Sequence, residues 1–565
     1  MQFKDYEYKR PDIDQLVKDA DAHVVLLNEA STFEDFTKAY DSWLKIGKHI
    51  FSMMTISSIR NSIDGRDEFY DAEKKFWDMN GPIVEEQNNK ITMALLNSKY
   101  RSNLEEVTPK PFFLLAENAL KSFSPEIIED LVKENQLVSE YYQVIAQAQI
   151  DFDGKVCTLA ELGTYRDSSD EAVRKAAYQA TWDYYQSKEE EIDGIYDNLV
   201  KLRDSIAKKL GFNNFVELGY VRMNRLDYNE SDVDQYRASV LKDVVPVTQK
   251  LYQDQMARIG VDKLDVYNAN FEFLSGNPKP IGSKDEMVEK ASKMYKELSP
   301  ETDAFWQFMV EKDLLDLEAK PGKRAGGYCT YIPDYLSPYI FSNFNGTKGD
   351  VDVLTHEAGH AFQVFESRWI KEPSLAFPTF ESCEIHSMSM EFFAWPWMES
   401  FFGQDTDKYY YTHLSGSIKF IPYGVLVDHF QHEVYNNVDW TPAQRKARWR
   451  ELEQQYLPHK DYSAIPFLEQ GTWWFSQLHI FAMPFYYIDY TLAQVCAFQF
   501  WLRLQKKDPQ AFNDYYAICK IGGTKTFLDI VKTANLQSPF EEGALSEVMA
   551  QLSDYLDKSP VKNLK

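Results

Sequence analysis

Cysteine is scarce in this chain. Five thiols (Cys157, Cys329, Cys383, Cys496 and Cys519) serve 565 residues, an odd number without Cys-x-x-Cys spacing. This argues against a disulfide framework and suits free, mostly buried thiols in a reducing compartment. Positive charge is also in short supply. Against 87 Asp and Glu stand 61 Lys and Arg, giving a net charge of −26, and no cluster of basic residues interrupts the acidic surplus. A nucleic acid or an anionic membrane would need a basic face, so neither is expected as a partner. The first ten residues, Met1 to Arg10, lack the apolar core of a signal peptide, and a cytoplasmic location is the expectation. No Gly-Lys pair has the spacing of a phosphate-binding loop or its following Ser/Thr. Internal repeats and low-complexity tracts are missing. The most apolar run, which ends near Trp501, is broken by His479, Asp489, Gln494 and Gln499, so it reads as a buried helix rather than a membrane span.

What remains is an ordinary globular composition, 44% hydrophobic and 15% aromatic. A chain of this length buries a large core and divides into two or more lobes. Residues 31–200 read as successive amphipathic helices. Ser31 with Glu34 has the pattern of a capping box, followed by Phe33, Phe36, Tyr40 and Trp43 at three- and four-residue steps. Ser124-Pro125 opens another helix. The segment 276–283 is a loop, after which Ser283 and Glu286 restart a helix. From 321 to 349 the helical period breaks, and Tyr/Thr/Ile-rich runs between glycines and prolines predict short strands. The division expected is an N-terminal helical lobe, 1–200, and a catalytic lobe, 201–565.

One stretch carries chemistry most directly: His356-Glu357-Ala358-Gly359-His360. Its flanks (Val353, Leu354, Ala361, Phe362, Val364, Phe365) predict a helix. Residues four apart on a helix lie one turn above each other, so both imidazoles reach one metal while Glu357 stands beside the open coordination position. This is the His-Glu-x-x-His pattern of zinc peptidases. Gly359 is unfavourable in a helix interior by about 1 kcal/mol, which suggests that something approaches closely there.

A catalytic zinc takes a third protein ligand. The extended motif with a third His six residues on is excluded, because Gln363 and Glu366 occupy the diagnostic positions. The donor must come from another segment, and 378–394 is the obvious one. Glu384, Ser387, Met388 and Glu391 fall on one helical stripe, so Glu384 and Glu391 are the ligand candidates, with Glu381, His386 and Cys383 in reserve. Further on, His479, Tyr486, Tyr487 and Tyr490 form a run dense in hydrogen-bond donors. Such donors stabilise the oxygen of a peptide carbonyl as water attacks it. The pair His429 and His432, three residues apart, has no third partner in view.

These stretches resemble the oligoendopeptidase F group of the thimet-oligopeptidase-like zinc metallopeptidases. The resemblance covers roughly residues 200–565 and is strongest from 322 to 391. In that family the first Glu of a second helix is the third zinc ligand, and another Glu follows seven residues later. The resemblance therefore favours Glu384 as ligand with His356 and His360, and Glu391 as a supporting carboxylate behind them. Asp352, one turn before His356, is a further candidate for that support, alongside the reading of an ordinary first-turn acid. The strand-forming segment containing Gly326, Gly327 and Tyr328 resembles the family's small sheet beside the site, whose edge pairs with extended peptide. The family also carries a His followed by a tyrosine cluster, here His479 with Tyr486, Tyr487 and Tyr490, without apportioning roles among the tyrosines.

The expected fold is mainly α, two helical lobes around a deep channel, with a small β-sheet beside a helical zinc site. The expected function is zinc-dependent endopeptidase action on short unfolded peptides, with Glu357 as general base. A zinc aminopeptidase and a non-catalytic peptide-binding protein of the same fold are the alternatives, and Mn or Co would fit the same ligands. Oligomeric state is not legible.

Overall fold

A computed structural model describes residues 1–564. Helices make up most of it, joined by two small sheets among the described residues. The chain is mainly α, as its periodicity implies. By packing it divides into two compact units, each assembled from three segments. The first comprises Met1–Ile128, Pro280–Phe401 and Lys507–Leu536. The second comprises Glu129–Lys279, Phe402–Lys506 and the segment from Gln537 on. These units are cut differently from the 1–200 and 201–565 division drawn from sequence pattern.

In the first unit, the helix Phe33–Ile63 buries Phe36 and Trp43, two of the aromatics whose spacing predicts it. Its cap is Thr32 rather than Ser31. The Thr32 hydroxyl accepts from the Asp35 amide at 3.1 Å, and Glu34 pairs instead with Lys38 at 2.7 Å. Two adjacent hydroxyls compete for the same role, and the one whose third residue is Asp35 takes it. At 283 the expected box forms reciprocally: the Ser283 hydroxyl accepts from the Glu286 amide at 3.3 Å, and the Glu286 carboxylate accepts from the Ser283 amide at 2.6 Å. It starts the helix Lys284–Leu298.

The predicted strands are present. Ser337–Phe344 is the central strand of three, parallel to Leu315–Glu318 and antiparallel to Tyr328–Ile332. The register pairs Tyr328 with Phe341 and Ile332 with Ser337. The central strand is buried from Ser337 to Ser342, whereas Tyr328, Cys329 and Thr330 on the outer strand are half-buried. The N-terminus is tied to this sheet by a Tyr6–Ser337 hydroxyl contact of 2.7 Å and by Tyr6 stacked on Tyr335. Gly349–Glu366 and Phe380–Phe393 are the helices that follow.

The second unit is built around the long helix Thr406–Asn436 and the buried helix Tyr487–Gln505. They cross closely at Gly424, where a Cβ would meet Thr491 Cγ2 at 2.4 Å. Ser124 caps the Pro125–Ile127 turn that leads into the helix Ile128–Ala146. One element escaped the sequence reading. Ile150–Phe152 and Lys155–Cys157 form a hairpin closed by Asp153-Gly154, both at positive φ. The Asp-Gly dipeptide is the signal for it. Among the described residues, no helix is long and apolar enough to cross a membrane.

Candidate metal centre and active site

The helix Gly349–Glu366 carries His356, Glu357 and His360. Its start is fixed by Asp350, whose carboxylate accepts from the Asn345 and Gly346 amides at 2.9 and 2.8 Å. The helix Phe380–Phe393 lies against it, backbone to backbone at Gly359. A Cβ there would sit 2.5 Å from the His386 carbonyl oxygen and 2.6 Å from Ser387 Cα. The unfavourable glycine thus has a physical reason: only a residue without a side chain lets the helices meet.

That crossing brings Glu384 opposite the two histidines. Glu384 Oε2 lies 3.2 Å from His356 Nε2 and 3.5 Å from His360 Nε2. One ligand atom from each of the three residues falls within 4.8 Å of the other two. Glu384 is 2% exposed, and Ser387, one turn on, donates to its Oε2 at 2.8 Å. Although burial opposes ionisation, His360 and His356 hold the Glu384 carboxyl well below the usual carboxylate range. Glu391, from the same stripe, stands behind His356 with its Oε1 2.7 Å from Nδ1. A carboxylate only accepts there, so Nδ1 carries the proton and Nε2 keeps its lone pair for a cation. The donor set, two imidazole nitrogens and a carboxylate, suits zinc.

Glu357 is 7% exposed, and its Oε2 has no hydrogen-bond partner among the described residues. Burial raises its pKa above the ordinary value. Gly327 lies against it, since a Cβ at that position would be 3.4 Å from Glu357 Oε1 and 3.2 Å from Val353 Cγ1. Gly326, at φ 96°, and Tyr328, whose ring stacks on Phe341, lead from this point into the outer strand.

The remaining candidates have the following partners. Asp352 pairs with Lys348 at 2.7 Å. His386 is fully buried, its Nδ1 2.7 Å from the Ser382 carbonyl, and burial takes its pKa down to about 4. Its own carbonyl accepts from the Tyr515 hydroxyl at 2.9 Å. Glu381 accepts from Thr379, and the Cys383 thiol donates to the Pro378 carbonyl. His429 meets Tyr456, and His432 meets Arg237 and Tyr220.

His479, Tyr486, Tyr487 and Tyr490 belong to the second unit, where they form one cluster. The His479 ring centroid is 5.7, 4.8 and 6.0 Å from those of Tyr486, Tyr487 and Tyr490 respectively. A turn at Phe485, φ 70°, joins the short helix Leu478–Ala482 to the helix Tyr487–Gln505. The Phe485 amide donates to Gln431 Oε1 at 3.0 Å, and its ring fills the space over Gly219. Burial pushes the Tyr487 phenol well up, so it remains a protonated donor.

Comparison with known proteins gives a consistent picture. The model of peptidase family M3 matches residues 164–550, and the peptidase M3 N-terminal domain matches 3–123. A chain described as an oligoendopeptidase F is 50% identical, with TM-score 0.97 and 100% of both chains covered. PZ peptidase A, solved with an inhibitor, is 48% identical with TM-score 0.97, over 99% of this chain and 100% of its own. A Bacillus anthracis str. Ames structure described as an oligoendopeptidase F is 48% identical with TM-score 0.93, over 100% and 99%. No curated protein matches the chain.

Proposed function

The chain belongs to peptidase family M3, and from that premise we propose that it is a zinc-dependent endopeptidase acting on short, unfolded peptides. The observation that carries the reading is the convergence of His356 Nε2, His360 Nε2 and Glu384 Oε2 next to a buried carboxylate, Glu357, with an unpartnered oxygen.

His356, His360 and Glu384 would hold the metal. Zinc bound there supplies a Lewis acid that polarises a carbonyl oxygen and acidifies water. Glu391 keeps the His356 proton on Nδ1, which leaves the Nε2 lone pair as the one that would take the metal. Glu357 takes a proton from the water that attacks the scissile carbonyl carbon and delivers it to the departing amine nitrogen. Its burial favours this work, because a carboxylate raised above its ordinary pKa is a better proton acceptor. His479 and the hydroxyls of Tyr486, Tyr487 and Tyr490 supply donors for the carbonyl oxygen as it gains charge. The outer strand that begins at Tyr328, with Gly326 and Gly327 leaving its approach open, offers backbone groups to an extended peptide.

The test is turnover of an internally quenched, end-blocked short peptide before chelation, after chelation and after zinc is restored. Cleavage lost and regained supports a metallo-endopeptidase. No cleavage of blocked peptides by zinc-loaded protein would turn the reading toward an aminopeptidase or a binding protein. Glu357→Gln should retain zinc while kcat falls by about 10²–10⁴-fold.

A further inference from the structure

Gln477 sits between the Trp473–Ser476 turn and the helix that begins at Leu478, and it is 9% exposed. Its side chain is the centre of a hydrogen-bond chain. Gln477 Oε1 lies 2.6 Å from the Tyr423 hydroxyl, and Gln477 Nε2 lies 2.9 Å from His479 Nδ1.

The direction of the chain follows from its first member. The Tyr423 hydroxyl donates its proton to Gln477 Oε1. Gln477 Oε1 therefore accepts, and the amide nitrogen faces His479 Nδ1 with its proton. His479 Nδ1 must then be the acceptor. An amide placed the other way would confront the Tyr423 proton with an NH2 group.

We propose that Gln477 is a positioning residue that locks His479 as the neutral tautomer with its proton on Nε2. The importance of this to catalysis rests on the reading of His479 as an oxyanion donor, whereas the tautomer itself does not. An imidazole that presents N–H rather than a lone pair stabilises developing negative charge and cannot act as a base through the same nitrogen. The amide does for His479 what Glu391 does for His356, with the opposite sense: Glu391 puts the proton on Nδ1, and Gln477 puts it on Nε2.

The experiment is long-range nitrogen–proton NMR of the full-length, zinc-loaded protein labelled with ¹⁵N only in histidine. The His479 signals are identified by their loss in His479→Gln. We expect His479 Nδ1 in the unprotonated range and Nε2 in the protonated range at pH 7.5. A wild-type spectrum with the proton on Nδ1, or with both nitrogens protonated, would overturn the proposal without any reference to activity. In Gln477→Glu the side chain only accepts, so the proton should move to Nδ1, while zinc content stays unchanged. Peptide turnover is read alongside, and kcat should fall by about 10²–10³-fold, the loss of one oxyanion donor, with KM changed less than about threefold. If the tautomer switches and kcat holds, Gln477 does set the tautomer and the oxyanion role of His479 is what fails. If the tautomer is the same in Gln477→Glu as in wild type, the positioning role is refuted.

Discussion

Replacing Gly359 by alanine sets two opposing effects against each other. Helix propensity alone favours alanine by about 1 kcal/mol. Against it stands the new methyl, 2.5 Å from the His386 carbonyl oxygen and 2.6 Å from Ser387 Cα. Ordinary contact lies near about 3.5 Å, so the two helices must part by about 1 Å. Both obstacles are backbone, and no side-chain rotation relieves them, which places the overpacking cost toward the upper part of its usual range of about 1–3 kcal/mol. The net effect is a destabilisation of about 1–2 kcal/mol and a Tm lowered by about 1–2 °C. Metal affinity should suffer more. Glu384 rides on the displaced helix, and a three-ligand site tolerates ligand errors of only about 0.2 Å. Affinity should fall at least about tenfold. Equilibrium competition with a chromophoric chelator measures the affinity, and circular dichroism follows thermal unfolding of the metal-free protein. A variant with unchanged zinc affinity, or a raised Tm, would mean that propensity outweighs the clash and that the close crossing does not set the ligand geometry.

Other outcomes follow from the same structure. Glu391→Gln should weaken zinc binding by about 10–100-fold in chelator competition, because the group that fixes the His356 proton loses its charge. Arg225 and Asp489 are a buried pair at 2% and 0% exposure, so Arg225→Met should destabilise by about 3–5 kcal/mol in urea unfolding; adding Asp489→Leu should recover much of it. His459 stacks on Tyr252, and burial, with Lys460 and Lys419 adding to it, takes its pKa down to about 2. Above about pH 6.5 the ring is neutral in both folded and unfolded chains. Below it the unfolded chain gains a proton that the folded one refuses, so stability falls as pH drops, by about 1 kcal/mol between pH 6.5 and 5.5. His459→Phe should flatten that slope in urea titrations at the two pH values, and an unchanged slope would refute the assignment.

The helix with two histidines was legible because its period, its motif and its misplaced glycine all concern residues a turn or less apart. The second helix was legible as a stripe, yet sequence left Glu384 and Glu391 open between ligand and support, and resemblance separated them. Spacing cannot say which carboxylate faces the gap between two helices. That depends on the crossing, which Gly359 sets. The roles of Ser387, Gln477 and Tyr423 lay outside the reading for the same reason. Gln477 and Tyr423 are 54 residues apart, and nothing local in either marks them as partners. At 31 the sequence pattern starts the helix one residue early, since adjacent hydroxyls offer the same chemistry and only the geometry of the Asp35 amide chooses between them. The Asp153-Gly154 hairpin is masked by the helical patterns on either side of it, although its turn residues carry the signal.

The order in which the chain leaves the ribosome bears on when the candidate centre becomes sound. His386 is made 129 residues before Tyr515, the residue that satisfies its carbonyl. At roughly 5–20 residues per second that gap lasts about 6–26 s. Through it, every ligand has been synthesised while the segment that closes over the second helix has not. The first unit is completed only by residues 507–536, so its folding cannot finish until most of the second unit's residues have been synthesised. A nascent chain halted before residue 507 would hold all of His356, His360 and Glu384 yet lack the piece that packs against both of their helices.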